Sequence, residues 1–306
     1  MASMTVTATK TKAIIFVNAS SGFDEKEGAP KKLEQWFEES GIDCDVDYVK
    51  KGVNLAEKSR EAVAAGHSIV VAGGGDGTLS ATASGLVGTD VAFGVLPVGT
   101  LNHFARDLNI PLDMEAAAKV ICAGHSTYVD VAEVNGKTFL NNSIIGLYPV
   151  FRSLRAEQER KGMPRRIALW WAAIAAFRRF PFFNIKLWVD GREVVRRTPY
   201  MLIANNEHAM EGWQLGLRKG GMTQGKLWIY IMRPKTRLSL LWMIIKMIFG
   251  QFRGSSHFEM FTAKEMWVDT RSRRLGVALD GEMRVMETPL RYRCLPASLK
   301  VIVPAQ

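Results

Sequence analysis

Cysteine is scarce in this chain. Its three cysteines, Cys44, Cys122 and Cys294, are spread over 306 residues with no Cys-x-x-Cys pair. That spacing argues against a disulfide framework or structural zinc site and makes a reducing cytosol the expected compartment. Long apolar runs are also missing. Ile167–Phe177 is eleven residues long and Leu238–Phe249 is interrupted by Lys246, and both fall short of the ~20 residues a spanning helix needs. The start, MASMTVTATKTK, is polar, with no apolar segment ahead of Ala13–Val17, so no signal peptide is expected.

What is present is unevenly spread. With 47% hydrophobic and 23% charged residues, the composition is that of a folded globular chain and excludes a disordered or collagen-like one. The formal charge is +10, yet residues 1–140 hold 12 Lys+Arg against 18 Asp+Glu, and residues 141–306 hold 28 against 12. Seven of the eight tryptophans also follow residue 140. The −6 half and the +16 half therefore have different partners, and the second is the one to meet an anionic surface.

Period and punctuation divide the chain near residue 126. Up to that point strand and helix patterns alternate as in a parallel sheet with crossover helices. Ala13–Val17, Cys44–Val49, Ile69–Ala72 and Val91–Leu96 read as strands; Pro30–Ser40, Leu55–Ala65, Thr78–Leu86 and Met114–Ala123 read as helices. Gly41 stands where a helix C′ glycine belongs. From residue 127 the period becomes two, and Asn135-Gly136, Asp190-Gly191 and Asp280-Gly281 mark hairpins. The expected strands are Thr127–Val134, Lys137–Ser143, Ile185–Val189, Tyr200–Ala204, Lys226–Met232, Glu265–Thr270, Gly276–Leu279, Arg284–Tyr292 and Leu299–Val303. The expected plan is an α/β nucleotide-binding domain over residues 1–126 and an antiparallel β domain over residues 127–306. Its last strand is free to pack back on the first domain. Two helical insertions, Arg152–Phe180 and Arg237–Gln251, interrupt the second domain.

Two loops carry chemistry. In the run Val70–Thr78 a buried strand ends in Gly73-Gly74-Gly75 and opens a helix through Asp76-Gly77-Thr78. Backbone amides without Cβ obstruction, at the positive end of a helix dipole, suit phosphate oxygens. The loop is neither a Walker A nor a Gly-x-Gly-x-x-Gly motif, and a plain glycine turn at a strand end is its ordinary alternative. Asp76 favours the phosphate reading, because a carboxylate among phosphate-facing amides suggests an accompanying cation. One strand later Gly99, Thr100 and Asn102 follow a second buried strand, and Asn18 to Gly22 end the first. Loops at the carboxyl ends of neighbouring strands are where open α/β sheets bind ligands.

These motifs carry a resemblance. Asn-Ala-Ser-Ser-Gly, Gly-Gly-Gly-Asp-Gly-Thr, the run Gly99–Arg106, the run Val129–Gly146, Asn205-Asn206 with Gly212 beyond, and Leu279–Glu282 occur in the order and spacing of one family. The chain resembles the diacylglycerol kinase catalytic-domain family, which includes bacterial soluble lipid kinases and the sphingosine kinases, from residue 13 to Pro304. The resemblance implies a Rossmann-like parallel-sheet domain of the NAD-kinase and diacylglycerol-kinase type, a C-terminal antiparallel β-sandwich, and ATP bound in the cleft between them. It implies transfer of the γ-phosphate of Mg-ATP to a lipid hydroxyl, with diacylglycerol giving phosphatidic acid as the first assignment. Phosphatidylglycerol and sphingoid bases present similar hydroxyls.

Residue by residue, the resemblance implies that Asn18, Gly74, Gly75, Asp76, Gly77 and Thr78, with Gly99, Thr100 and Asn102, meet the nucleotide. Asp76 and Asp130 look like the acidic pair that organises magnesium and its water. Glu282, within Asp280-Gly281-Glu282, matches the general base, with Asp280 beside it as a further catalytic candidate. Phosphoryl transfer asks for positioning, charge neutralisation and a group to accept the hydroxyl proton. Read without the family, Glu282 is an ordinary solvated turn carboxylate.

Three departures stand out. His103 replaces a family Asp, so packing or capping is its expected role. The run Lys50–Glu57 lacks the family's nucleotide-touching Thr, and no contact is assigned there. Thr223 to Leu227 replaces a metal-binding Asp-Gly-Leu segment, so that structural magnesium site is expected to be absent.

Both insertions mix arginines with tryptophan and aliphatic residues, a recipe for lipid headgroups, although ordinary helices packed on the β domain share it. The resemblance and the charge together lead to the expectation of a cytoplasmic protein at the anionic inner face of a membrane. A homodimer stays open, and nucleic acid is not an expected partner, since no reader motif accompanies the basic charge. An NAD kinase, which shares Gly-Gly-Asp-Gly-Thr, and a non-catalytic lipid or nucleotide module are the alternatives.

Overall fold

The computed structural model describes residues 11–19, 29–50, 52–179, 182–189, 191–211, 214–217, 222–233, 236, 239 and 258–305. Among sequence expectations, Ser20 to Gly22, Gly212 and all of Arg237–Gln251 but Ser239 lie outside them. The chain divides into two compact units, Met1–Val129 with Ala297–Gln306, and Asp130–Pro296. The border expected at 126/127 stands three residues later, and the end of the chain counts with the first unit.

The first unit alternates β1 (Lys12–Asn18), α1 (Ala29–Glu39), β2 (Asp43–Val49), α2 (Leu55–Ala64), β3 (Ile69–Gly74), α3 (Asp76–Ala83), β4 (Ala92–Pro97), α4 (His103–Asp107) and α5 (Met114–Ala123). The strands pair in the order β2-β1-β3-β4, all parallel. β3, at the centre, is buried along its whole length, which is why it reads as an unbroken apolar run rather than an alternating one. Gly94 on β4 lets α5 settle on the sheet: a Cβ there would stand 3.1 Å from Ile121 Cδ1 and 2.9 Å from Val71 Cγ2. The Asp113 side chain accepts from Ala116 N at 2.9 Å to cap α5, and Gly124 ends it at φ +72°.

β5 (Ser126–Val134) leads to the second unit, which contains β6 (Lys137–Phe139), β7 (Asn142–Gly146), α6 (Leu147–Arg160), α7 (Arg165–Arg179), β8 (Phe183–Val189), β9 (Arg192–Thr198) and β10 (Tyr200–Ala204). A small hairpin of β11 (His208–Glu211) and β12 (Gln214–Leu217) follows. The chain continues through β13 (Leu227–Met232), β14 (Phe258–Ala263), β15 (Glu265–Thr270), β16 (Arg274–Leu279), β17 (Glu282–Glu287) and β18 (Leu290–Ile302). One antiparallel sheet runs β14-β13-β10-β7-β16-β17. The other runs β18-β15-β8-β9, with β5 on β18 and β6 on β5. The last turn of β18 belongs to the first unit, where Val301 pairs in parallel with Phe93.

Alternation makes the second unit a sandwich. Ile185 and Leu187 on β8, Met266 and Val268 on β15, and Leu290 and Tyr292 on β18 point the same way. They share one core with Ile145 on β7, Met201 and Ile203 on β10, Ile229 and Ile231 on β13, and Val277 on β16. Each such side chain, fully buried, stabilises the fold by about 1.5–3 kcal/mol. Tyr292 packs edge-on against Phe139, with centroids 6.3 Å apart, and its hydroxyl meets Ser143 Oγ at 2.8 Å. Burial raises its pKa above the ordinary phenol value.

The single helical insertion expected at Arg152–Phe180 is two helices, because Gly162 at φ +87° and Pro164 break it. Leu154 of α6 and Ala172 of α7 form their shared apolar contact.

Candidate active site

In the first unit the two glycine turns touch. A Cβ on Gly99 would stand 2.5 Å from Gly75 Cα and 2.7 Å from Asn102 Oδ1, so the backbones following β3 and β4 meet directly. Val98 N donates to Gly74 O at 3.2 Å, stitching the loops together. Asn102, at φ +50°, folds its own loop: Oδ1 accepts from Gly99 N at 2.9 Å, while Nδ2 donates to the carbonyls of Gly99 and Pro97. It is buried, which makes it a loop former rather than a ligand donor. Gly74 has no room for a side chain, since Thr78 Cβ lies 2.6 Å from where one would begin. Asn18, at the end of β1, donates to Thr78 Oγ1 at 3.1 Å, so all three strand ends contribute. Thr100 is exposed at the tip of the second loop. Thr78 N and Leu79 N close the first turn of α3 onto Gly75 O at 2.9 and 3.1 Å, and the positive end of the helix dipole at this point suits an anion.

Asp76 has a local task that its position in the sequence does not reveal. Its oxygens accept from His103 N at 3.3 Å and Phe104 N at 3.2 Å, capping α4. These amides account for a carboxylate at this point, so the presence of Asp76 alone does not require a cation. His103 takes part through its backbone.

The second unit holds a separate chain of hydrogen bonds. Asp130 is buried; its Oδ2 accepts from Gly225 N at 2.6 Å, and its amide donates to Met222 O at 2.7 Å. Asn205 Nδ2 donates to Asp130 O at 2.7 Å and to Leu140 O at 3.1 Å. Leu140 N in turn donates to Asp280 Oδ2 at 2.8 Å, and Asp280 Oδ1 accepts from Asn141 N and Asn142 N, each at 2.9 Å. Asp280 thus holds the bend between β6 and β7 and fixes its own β16–β17 turn, where it sits at φ +45°. Its carboxylate is engaged in positioning, which differs from the role of a reacting group expected for it. Glu282 is exposed on the far side of that turn, with Oε2 3.2 Å from Arg284 Nη2. Arg152 Nη2 donates to Gly281 O at 3.3 Å, an anchor from α6 that sequence reasoning did not find.

Beside this turn lies a cavity of about 1170 Å³. Pro149, Val150, Leu154, Phe183, Leu275, Met283 and Val285 give it an apolar lining, and Arg152, Arg155, Arg165, Arg271 and Arg284 also border it. It starts one residue after Glu282. In the replaced Asp-Gly-Leu segment, Lys226 Nζ lies 5.0 Å from the centre of the Trp228 ring.

Among the described residues no three His, Cys, Asp or Glu side chains gather as a metal cage. A magnesium ion arriving with a nucleotide needs none, since one or two carboxylates, phosphate oxygens and its own waters suffice. Asp76, at the start of α3 beside the loop amides, fits that arrangement, whereas Asp130, expected as its companion, is buried with Oδ2 on Gly225 N.

Comparison with known proteins gives the family. Residues 12–134 match the family described as diacylglycerol kinase catalytic domain, and residues 152–303 match the YegS C-terminal NAD kinase beta sandwich-like domain. A diacylglycerol kinase of Staphylococcus aureus (strain bovine RF122 / ET3-1) is 33% identical over 133 residues, 42% of each chain. A probable lipid kinase YegS-like protein of Klebsiella pneumoniae (strain 342) is 37% identical over 110 residues, 35% of this chain and 37% of that one. The crystal structure of a putative diacylglycerol kinase from Bacillus anthracis str. Sterne superposes with a TM-score of 0.73 at 22% identity, over 96% of this chain and 97% of that one, and shows the shared fold. The chain is similar to relatives described as diacylglycerol kinase and probable lipid kinase, each matched over less than half its length. It belongs to the diacylglycerol kinase catalytic-domain family, in its YegS-type branch.

Proposed function

We propose that the protein transfers the γ-phosphate of Mg-ATP to the hydroxyl of a lipid, with diacylglycerol as acceptor and phosphatidic acid as product. The observation that carries this reading is an exposed carboxylate, Glu282, on a turn locked by three hydrogen bonds from backbone amides to Asp280 and bordering a large cavity with an apolar surface and an arginine border. An NAD-phosphorylating site would need a polar acceptor pocket; this one joins an apolar surface of Pro149, Val150, Leu154, Leu275 and Met283, which suits an acyl chain, to a border of arginines, which suits an anionic lipid surface.

In this reading the amides of Gly74–Thr78, with Thr100, hold the nucleotide phosphates. Asp76, beside these amides, would hold the waters of a magnesium ion arriving with ATP, which would supply charge neutralisation on the phosphate oxygens. Glu282 accepts the proton of the lipid hydroxyl as the oxygen forms its bond to the γ-phosphorus; the bond to the β-phosphate oxygen breaks and ADP leaves with its electron pair.

The test is radiolabelled ATP with diacylglycerol in detergent. Wild type is expected to form labelled phosphatidic acid, and Glu282→Gln to lower kcat by about 10²–10⁴-fold while ATP affinity holds. Wild-type turnover in that variant would overturn the assignment of Glu282. Label in NAD instead of lipid would overturn the choice of acceptor.

A further inference from the structure

Among the described residues, α7 buries one face and leaves the other without cover. Ala168 and Ala172 are fully buried, and Ala172 meets Leu154 of α6. By the helical period, Ile167, Trp170, Trp171 and Ile174 fall together on the other side. Ile167 is 57% exposed, Trp170 65% and Ile174 58%. A single exposed apolar residue needs no explanation, but a stripe of four large ones on a helix does.

Charge identifies the occupant. Residues 160–179 carry Arg160, Lys161, Arg165, Arg166, Arg178 and Arg179, and neither Asp nor Glu. Arg165, Arg166 and Arg178 are exposed, flanking the stripe at both ends. A second copy of the chain would bring two such cationic elements together, at a cost in repulsion. An anionic bilayer offers what both features require: headgroup phosphates for the arginines and acyl boundary for indole and aliphatic side chains.

We propose that α7 is a membrane-docking helix, lying in the interface of an anionic bilayer with Ile167, Trp170, Trp171 and Ile174 inserted and Arg165, Arg166 and Arg178 on the phosphates. The proposal extends the lipid-kinase reading, and its test needs no catalysis. None of the four inserted residues borders the cavity beside Glu282, so docking and turnover are separable.

The experiment is cosedimentation of the full chain, without ATP, with vesicles of phosphatidylcholine alone or mixed with phosphatidylglycerol. Wild type is expected to bind the mixed vesicles and to lose binding in high salt. Trp170→Glu with Ile174→Glu is expected to lower partitioning at least about tenfold, and Arg165→Gln with Arg166→Gln about thirtyfold. Circular dichroism and phosphorylation of detergent-dispersed diacylglycerol, both unchanged in the Trp170/Ile174 variant, show that the fold survives. Equal vesicle binding by wild type and that variant overturns the proposal. So does an unchanged vesicle affinity accompanied by a dimer-to-monomer shift, which would give the stripe to a second copy. Absence of lipid phosphorylation by wild type in detergent sinks the kinase reading alone and leaves the vesicle result standing.

Discussion

Gly99 and Gly75 meet backbone to backbone, and the contact is not symmetric. A Cβ on Gly99 would stand 2.5 Å from Gly75 Cα, whereas one on Gly75 would stand 3.5 Å from Gly99 Cα. The first distance forces the loops apart; the second is ordinary contact. Gly99 is not in the positive-φ region, so its requirement is space rather than backbone freedom.

Gly99→Ala is therefore expected to destabilise the first unit by about 1–3 kcal/mol and to weaken ATP binding, as read by thermal unfolding and calorimetry. Gly75→Ala is expected to keep wild-type stability. Equal behaviour of the two variants would contradict the packing argument.

A pH dependence follows from the edges of the sandwich. Arg196 on β9 donates from Nε and Nη2 to the two oxygens of Glu259 on β14, each at 2.7 Å, joining the edge strands of the two sheets. The hydrogen bond from Arg196 holds the Glu259 pKa below its ordinary value of 4.5. The folded value is the lower one, so the stabilisation is complete above the ordinary carboxylate range and is lost as pH falls through the lowered folded value. Glu259→Gln is expected to cost about 1 kcal/mol or less at pH 7, the side chains being partly solvated. The difference from wild type should shrink in acid. Denaturant unfolding from pH 7 down to pH 3 checks both statements.

The first unit was legible from its residues because its strands are unbroken apolar runs and its helices end on glycine or a capping side chain. The sandwich was less so. β9, with the sequence Arg-Glu-Val-Val-Arg-Arg-Thr, hides its apolar half among charges that belong to an edge strand. Lys137–Ser143, expected as one strand, breaks at Leu140-Asn141 because Asp280, about 140 residues away, takes the amides that a ladder would use. Arg284–Tyr292 breaks at Pro289, which has no N–H for a ladder. β14 is absent from the expected strands, since Phe258–Ala263 alternates only weakly. The same limit governed the site. Phosphate-loop glycines announce themselves through local sequence, but the capping by Asp76 and the bridge made by Asn205 are tertiary facts.

Asp280 and Glu282, two residues apart, are expected to fail differently. Asp280→Asn keeps a residue that tolerates the left-handed backbone at φ +45°, so it isolates the hydrogen bonds. With Oδ1 still accepting from Asn141 and Asn142, the new amide nitrogen faces Leu140 N, donor against donor. That loss is expected to cost about 1–3 kcal/mol in stability and to lower turnover through displacement of the Glu282 turn. Glu282→Gln, exposed and outside that network, is expected to lower turnover with the melting temperature unchanged. Paired thermal unfolding and steady-state kinetics on the two variants separate the residue that positions from the residue proposed to take the proton. A fall in stability for Glu282→Gln, or full activity in Asp280→Asn, would reverse those roles.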